Sequence, residues 1–416
     1  MAISRREFIS GSAAALGVPA VTHSLPPVSE DVYGSKPGGP TVKGRRDLLG
    51  FDPVIEVDGA AIRHNVAEVS RLCSGRPIMA VVKNNGYGLG VANVGRILDG
   101  IDAVAGLAVV KADEAIALRD AGVRKPVLLM GLFSEAEGAE LAARNIHLAP
   151  YTEGIQRTLA RYADSLGREI PVHLYLDTGM NRVGVPFRRA IPWIEALASE
   201  PGVRIDGTFM CFAEDDAFDP VQKTRFLNVA SVSKNRGLEL GLLHAASSHG
   251  VFFRPNALLD MVRPGLALYG AYPAGAKDLG IASLRPAFNL RCRVVRVERL
   301  EAGDGVSYGQ NYIAERPTWV ATLPVGHADG YPRGAVNGCE VLIANRLFKI
   351  IGAVSASHTI VEIGAQKSVD IGAEVTLVGA DEPAVHPNTI AERAGISVYD
   401  ILMHLSARLS RRITGT

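Results

Sequence analysis

The 416-residue chain has almost no net charge, few cysteines and no long apolar run. Its 44 basic and 43 acidic residues leave a formal net charge of +1, which argues against nucleic acid or an anionic membrane surface as a partner. The four cysteines are widely spaced and form no C-x-x-C pair, so we predict no metal site and no disulfide framework. A hydrophobic content of 47% is typical of a globular protein.

Residues 1–46 have the pattern of an export signal followed by a linker. Arg5 and Arg6 precede a weakly apolar, alanine-rich stretch at residues 11–18, as in twin-arginine signals. That stretch is too short to span a bilayer, so no membrane span is predicted. The alternative is a basic tail before an alanine-rich helix. The full pattern favours the signal and therefore predicts a periplasmic protein.

Lys83 is the most informative residue of the chain. An apolar strand predicted at residues 78–82 delivers it to a glycine-rich turn that contains Tyr87. Partial burial lowers the pKa of a lysine and frees its amine to attack an aldehyde, and glycines allow close approach to a bound group. This strand end and the turn after it are therefore suited to a Schiff base between Lys83 and pyridoxal phosphate (PLP), with Tyr87 at the phosphate. A surface lysine before a turn is the alternative.

Short apolar runs alternate with amphipathic segments over residues 47–285. Strands are predicted at residues 54–57, 78–82, 104–109, 127–130, 172–176, 207–212, 242–246 and 266–269, and helices at 60–72, 111–121, 135–143, 189–198 and 221–235. Continuously apolar strands between helices indicate a parallel sheet, and about eight such units predict an α/β fold of the (β/α)8 barrel type. Turn-separated short strands over residues 286–416 predict a second, mainly-β domain, closed by a helix at residues 398–409.

Five collinear segments between residues 52 and 412 resemble motifs of the alanine racemase family, which are fold-type III PLP enzymes. They are AVVK with YG at residues 80–88, DTGMNRVG at 177–184, VRPGL with YG at 262–270, VSYG at 306–309 and ADGYPR at 328–333. The resemblance implies an amino-acid racemase that uses PLP, acts on a small-molecule amino-acid substrate and forms a homodimer with shared active sites.

The same resemblance assigns roles to individual residues. Lys83 and Tyr308 would be the two catalytic bases, with Tyr308 reaching the site from the partner subunit. Arg263 would bind the pyridine nitrogen; because a guanidinium keeps its proton, that nitrogen would stay unprotonated and the ring a weak electron sink. Arg182 would hold the substrate carboxylate or the cofactor's phenolic oxygen. The cofactor's phosphate would be bound by Tyr87, Ser248, Gly265, Leu266 and Tyr399. Structural roles are the alternatives for Arg263, Tyr308, Ser248 and Tyr399.

The chain departs from the family pattern at several positions of the expected site. Tyr175 stands where most relatives carry a carbamylated lysine that orients the substrate arginine, and Cys211 replaces a histidine that touches the second base. His249 and His358 are candidates to take over the role of that histidine, with structural roles as the alternative. Ser247 replaces an asparagine near the phosphate, and His327 a tyrosine that narrows the entrance.

Ala356 replaces a methionine in the wall of the substrate pocket. A methylene in such a pocket is worth roughly 1–3 kcal/mol of discrimination. The wider pocket predicts that amino acids larger than alanine are accepted, as by exported broad-specificity racemases of this superfamily. Two other functions remain open: a fold-type III PLP lyase or decarboxylase, and a non-catalytic PLP-binding protein. Arg263 together with Tyr308 argues against the lyase. The departures from the family pattern at positions 175 and 211 favour the non-catalytic binding protein as an alternative.

Overall fold

The computed structural model of the protein describes residues 50–415. The export signal and linker predicted at residues 1–46 lie outside the described residues. The described residues belong to one compact unit. No helix among them is long and apolar enough to cross a membrane.

Seven parallel strands of the described chain form a curled sheet, which confirms the barrel prediction. The N–H of Met79 donates to the carbonyl of Val262 at 2.8 Å, and the N–H of Val262 donates to the carbonyl of Pro77 at 3.0 Å. Residues 261–263 thus take the eighth place between the last and the first strand. In spatial order the seven strands are Ile78–Val81, Val104–Val109, Val127–Leu129, His147–Leu148, Ile170–Asp177, Val203–Phe209 and Leu242–His244.

Helices connect the barrel strands. The helix Glu135–Ala143 begins at a capping box, in which Ser134 and Glu137 each bind the other's backbone N–H. The two-residue strand Val185–Pro186 pairs in parallel with the last two residues of the strand Ile170–Asp177. The helices of this half are Gly59–Leu72, Lys83–Tyr87, Val91–Asp99, Ala112–Asp120, Glu135–Ala143, Ile155–Leu166, Ala190–Ala198, Asp219–Asn235 and Ser248–Phe253.

The second half contains a nine-stranded, mostly antiparallel sheet, as predicted for a mainly-β domain. Phe288–Arg293 shows the alternation of a half-buried strand, with every second residue buried. In spatial order the strands are Arg296–Leu300, Thr318–Leu323, Thr359–Gly364, Arg346–Ile351, Glu340–Ile343, Glu374–Val378, Phe288–Arg293, Val54–Asp58 and Ser410–Thr414. A separate hairpin joins Gly305–Val306 to Tyr312–Ile313.

Three predicted elements differ from the observed ones. The first strand, Val54–Asp58, belongs to the second sheet, where it pairs with Phe288–Arg293 and Ser410–Thr414 and where Glu56 forms a 2.8 Å ion pair with Arg291. Leu266–Tyr269 is a 3-10 helix rather than a strand. The last backbone hydrogen bond to the neighbouring barrel strand is the one from the N–H of Val81 to the carbonyl of Pro264. The predicted closing helix at residues 398–409 is shorter, Val398–Met403, and follows the helix Pro387–Ala394.

Candidate active site

A cavity of roughly 680 Å³ opens at the carboxyl ends of the barrel strands. This is the end at which barrels of this type carry their active sites. Eight of the predicted site residues line it: Lys83, Tyr87, Arg182, Ser248, Arg263, Gly265, Leu266 and Tyr399. The cavity is also lined by three residues that depart from the family pattern, Tyr175, Cys211 and Ser247.

Lys83 enters the cavity at the start of the short helical segment Lys83–Tyr87, whose backbone is unusual. Asn84, Asn85, Gly86 and Tyr87 all have positive φ values between 53° and 62°, a left-handed turn that brings both Lys83 and Tyr87 to the cavity wall. The buried carboxylate of Glu114 holds this turn by accepting the N–H of Asn85 at 2.7 Å. Burial, and secondarily the charge of Arg182, lowers the pKa of Lys83.

One end of the cavity is lined by the hydroxyl-bearing residues Tyr87, Ser248 and Tyr399. The Oγ of Ser248 accepts the N–H groups of Gly265 (3.0 Å) and Ala267 (3.1 Å), which leaves its own proton free for donation. Burial raises the pKa of Tyr87, and that of Tyr399 to about 12, so both phenols stay protonated and can donate. The structure therefore offers several donors to an anion at this end.

Gly265 lets the chain approach Tyr87 closely. A Cβ atom at position 265 would lie 2.2 Å from the hydroxyl oxygen of Tyr87, well inside van der Waals contact. The ring of Tyr87 stacks on that of Tyr269 at 4.5 Å, which fixes it from the other side. The hydroxyl of Tyr87 is thus held against a bare backbone, as a tightly fitted phosphate cradle requires.

Arg263 is 4% exposed, and its terminal nitrogens are fully engaged. Nη1 donates to Nδ1 (3.0 Å) and to the carbonyl (2.8 Å) of His244. Nη2 donates to the carbonyl of Met210 at 2.6 Å and to Sγ of Cys211 at 3.6 Å. Of the five N–H donors of a guanidinium, only Nε–H remains for a ligand in the cavity.

Arg182 is held by its loop rather than by a charged partner. Oδ1 of Asp177 accepts the N–H groups of Gly179 (2.9 Å) and Asn181 (3.0 Å), which closes the loop back on its strand. The hydroxyl of Tyr175 lies next to both Arg182 and the Cys211 thiol; burial, and after it Cys211, raises the pKa of Tyr175. Burial lowers the pKa of Arg182, but the interaction with Tyr175 outweighs this effect and the pKa is raised.

Two predicted site residues do not line the cavity of their own chain. Tyr308 lies in the second half, at the turn after Ser307, and its exposed fraction is 83%. Ala356 lies beside residues 326–328, where its carbonyl accepts the N–H of Ala328 at 3.0 Å. Tyr308 lies in the turn of the separate hairpin, and Ala356 lies in the loop between the strands Arg346–Ile351 and Thr359–Gly364.

His249 and His358, the candidates to replace the family histidine at position 211, do not line the cavity either. The ring of His249 packs on Phe253 at 4.7 Å. His358 belongs to a tight turn in which its N–H donates to Oγ of Ser355 at 3.0 Å. Within one chain, the polar neighbours of Cys211 are therefore Arg263, Tyr175 and Arg182.

Sequence reasoning missed several lining residues. Met130 and Tyr151 follow the strands Val127–Leu129 and His147–Leu148, and Glu214 follows Val203–Phe209. Their positions after strand ends would have been enough to find them, because the carboxyl ends of barrel strands face the site. His244 carried no such signal, since it lies inside the barrel and is fully buried.

The residues present fit pyridoxal phosphate. The donors of Tyr87, Ser248 and Tyr399 suit its phosphate, the absence of a side chain at Gly265 lets the Tyr87 hydroxyl take its place there, and the free Nε–H of Arg263 suits its ring nitrogen. The lysine with a lowered pKa is the group that its aldehyde requires.

Two family models match the chain: the alanine racemase N-terminal domain over residues 57–273 and the alanine racemase C-terminal domain over residues 287–413. The alanine racemase of Desulforamulus reducens is 33% identical over 366 residues, which cover 86% of this chain and 98% of that protein. Alanine racemase 2 of Caldanaerobacter subterraneus is 32% identical over 366 residues, covering 86% of this chain and 93% of that protein.

Solved structures agree with the sequence comparisons. The alanine racemase of Clostridium difficile 630 superimposes with a TM-score of 0.81 at 27% identity, covering 88% of this chain and 96% of that one. The biosynthetic alanine racemase of Pseudomonas aeruginosa superimposes with a TM-score of 0.77 at 32% identity, covering 87% of this chain and 99% of that one.

Proposed function

The chain belongs to the alanine racemase family of PLP-dependent isomerases, and we propose that it interconverts L- and D-amino acids with Lys83 and Tyr308 as its two bases. The proposal is supported by one cavity that is lined by Lys83, Arg182 and Arg263 together with hydrogen-bond donors suited to a phosphate. Alanine is the first substrate to test, since the similar proteins are alanine racemases.

When bound, PLP stabilises negative charge at the α-carbon of the substrate. In our proposal Tyr87, Ser248, Gly265, Leu266 and Tyr399 hold its phosphate. Arg263 donates Nε–H to the ring nitrogen, and because a guanidinium does not give up its proton, that nitrogen stays unprotonated. The electron sink is then weak, which favours return of the proton over loss of the carboxylate.

Each base serves one face of the α-carbon. Lys83 moves a proton to or from its Nζ, and its lowered pKa supplies the neutral amine that this requires. Tyr308 moves a proton at its hydroxyl on the other face. Its 83% exposure and its position away from its own cavity wall are consistent with a role in the site of a second copy. We therefore propose a homodimer in which each site takes Tyr308 from the partner.

The substrate range extends, in our proposal, beyond alanine. Arg182 binds the α-carboxylate that all amino acids share, whereas Ala356 of the second copy forms part of the side-chain wall. Its single methyl group leaves room for longer side chains. A panel of about twenty L-amino acids tests this, with chiral chromatography of the products; turnover of alanine alone would reject the wider range.

Export to the periplasm is the remaining part of the proposal, and it rests on Arg5 and Arg6 in the sequence. Replacement of both by lysine keeps the charge but removes the paired arginines. Fractionation of cells should find the wild-type protein in the periplasm and the double variant in the cytoplasm. Equal distribution of the two proteins would remove the twin-arginine assignment.

The deciding experiment combines turnover and covalent trapping. Purified protein with PLP should convert L-alanine to a mixture of L- and D-alanine. Borohydride reduction should then add the mass of the reduced cofactor to the peptide that contains Lys83. Lys83→Ala should abolish both results, and Tyr308→Phe should abolish turnover but keep the labelled peptide. Release of CO2 instead of D-alanine would indicate a decarboxylase, and labelling without any product would indicate a binding protein.

A further inference from the structure

Two buried histidines lie in line with Arg263 inside the barrel. Nη1 of Arg263 is 3.0 Å from Nδ1 of His244, and Nε2 of His244 is 3.0 Å from Nδ1 of His173. The exposed fractions of His244 and His173 are 0% and 3%. Of the three residues only Arg263 lines the cavity, and it is the residue through which the histidines are hydrogen-bonded to the site.

The chemistry of the guanidinium determines where the protons of this line lie. A guanidinium has donors and no acceptor, so Nδ1 of His244 must present its lone pair to Arg263. Burial, followed by the charge of Arg263, lowers the pKa of His244 well below its usual value, and the ring is neutral. A neutral imidazole with a bare Nδ1 carries its proton on Nε2.

The proton on Nε2 of His244 then needs an acceptor in a place that water does not reach. Nδ1 of His173 is that acceptor, and burial lowers the pKa of His173 to about 3, so this ring is neutral too. In the opposite tautomer of His244, an N–H would point at an N–H of Arg263, and the arginine would lose a partner. In both rings, the nitrogen nearer to Arg263 therefore accepts a hydrogen bond and the farther nitrogen carries the proton.

The barrel makes room for His173 at the neighbouring strand. A Cβ atom at Gly207 would lie 2.6 Å from Nδ1 of His173, so any side chain there would displace the ring. The rings of His173 and His244 meet edge to face, at an interplanar angle of 81° and a centroid distance of 5.2 Å. The ring of His173 is thus packed between Gly207 and the ring of His244.

We propose that His173 is a positioning residue of the racemase: by accepting the proton on Nε2 of His244, it fixes the tautomer that holds Arg263 with its Nε–H toward the cofactor. The proposal rests on the proposed function, in which Arg263 binds the ring nitrogen of PLP. It adds that this function depends on a residue that does not touch the cavity.

The chain offers a matched control in His147. Its ring centroid lies 5.5 Å from that of His173, and it is similarly buried at 8% exposure. Its nearest polar neighbour is the carboxylate of Asp206 at 3.5 Å, and it has no hydrogen bond to His244. A change at His147 perturbs the same interior without breaking the line to Arg263.

The test uses three variants of the full chain. His173→Phe keeps a flat ring but has no acceptor, His173→Asn keeps an acceptor oxygen near the position of Nδ1, and His147→Phe is the control. The first readout is the nitrogen NMR spectrum of histidine-labelled apoprotein, in which the His244 signals are assigned through His244→Gln. The second is kcat and KM with PLP and L-alanine.

For wild type we expect one His244 tautomer, protonated at Nε2. In His173→Phe that single tautomer should disappear and kcat should fall about tenfold or more, with KM changed less, as for a buried donor left unsatisfied. His173→Asn should recover most of kcat, and His147→Phe should keep both properties. If His173→Phe does not fold by circular dichroism, His173→Leu takes its place.

An unchanged tautomer together with an unchanged kcat in His173→Phe would overturn the proposal. So would a decrease of kcat in His173→Asn as large as in His173→Phe, since the acceptor would then be irrelevant. A wild-type protein without racemase activity would count against the proposed function only, because the tautomer in the apoprotein is measured independently of turnover.

Discussion

Lys83 and Arg182 are neighbouring cations in one cavity, and their surroundings act on them in opposite ways. Burial lowers the pKa of Lys83, with the charge of Arg182 as the second cause. Arg182 stays charged under all ordinary conditions, because a guanidinium does not give up its proton; burial lowers its pKa, but the interaction with Tyr175 outweighs that effect. One residue can therefore exchange a proton while the other serves as a permanent anchor for a carboxylate.

Tyr175→Phe tests how Arg182 is held. The ring packs on Phe209 at a centroid distance of 4.3 Å and should stay in place, so the variant removes only the hydroxyl beside the guanidinium. A hydrogen bond to a charged group is worth about 1.5–3 kcal/mol, and we expect KM for the amino acid to rise about tenfold or more.

The control for this variant is Tyr162→Phe. The Tyr162 hydroxyl donates to the carbonyl of Glu135 at 2.6 Å, away from the cavity. Its removal should lower the melting temperature without changing KM. An unchanged KM in Tyr175→Phe would mean that the loop alone positions Arg182.

Gly265→Ala tests the close approach at the phosphate end. The new methyl group would lie 2.2 Å from the hydroxyl oxygen of Tyr87, and the tyrosine would have to move. We expect the dissociation constant for PLP, measured by equilibrium dialysis, to rise at least about tenfold, which corresponds to about 1.4 kcal/mol.

Gly100→Ala is the matched control, because its nearest neighbour would be 3.8 Å away and its φ is an ordinary −84°. The dissociation constant for PLP should not change in that variant. Equal affinity in Gly265→Ala and wild type would show that the phosphate is bound elsewhere.

At the scale of elements, strand ends explain most of what the sequence predicts correctly. A continuously apolar strand has to finish at the barrel mouth, so Lys83 could be assigned to the cavity from its position, whereas Arg263 was predicted from the family resemblance. Apolar patterning does not say which sheet a strand joins, and Val54–Asp58 was therefore assigned to the wrong one. The His173–His244 hydrogen bond joins residues 71 positions apart and depends on strand register, which patterning does not provide.

The buried histidines of the barrel predict a stability that depends on pH. Burial lowers the pKa of His147 to about 4 and that of His173 to about 3. Because both values lie below that of an unfolded histidine, the unfolded state binds more protons, and stability falls as the pH drops below about 6.5. Each such histidine contributes a slope of about 1.4 kcal/mol per pH unit.

Melting temperatures of the full chain between pH 7.5 and pH 4.5 measure this slope. His147→Gln removes one of the buried groups and should flatten the curve. The control is His404→Gln, since the side chain of His404 is 69% exposed, and it should leave the curve unchanged. A wild-type melting temperature that is constant down to pH 4.5 would contradict the assignment of neutral, buried rings.

At the scale of the whole molecule, the residues assigned to the proposed site lie in two places. The cavity carries Lys83 and the residues that fit PLP, whereas Tyr308 and Ala356 lie in loops of the second half and do not line the cavity. These two residues were predicted from family resemblance, because a subunit interface leaves no periodic pattern in a sequence. We therefore propose that a complete site combines Lys83 of one copy with Tyr308 of another.

Mixed dimers measure this most directly. Lys83→Ala and Tyr308→Phe should each be inactive alone. After dissociation, mixing in equal amounts and reassociation with PLP, half of the dimers contain one subunit of each kind, and one of their two sites is intact. Racemisation of alanine should recover to about one quarter of the wild-type rate, as expected for a two-fold symmetric dimer. No recovery, with mixed dimers verified by mass spectrometry, would contradict the shared site.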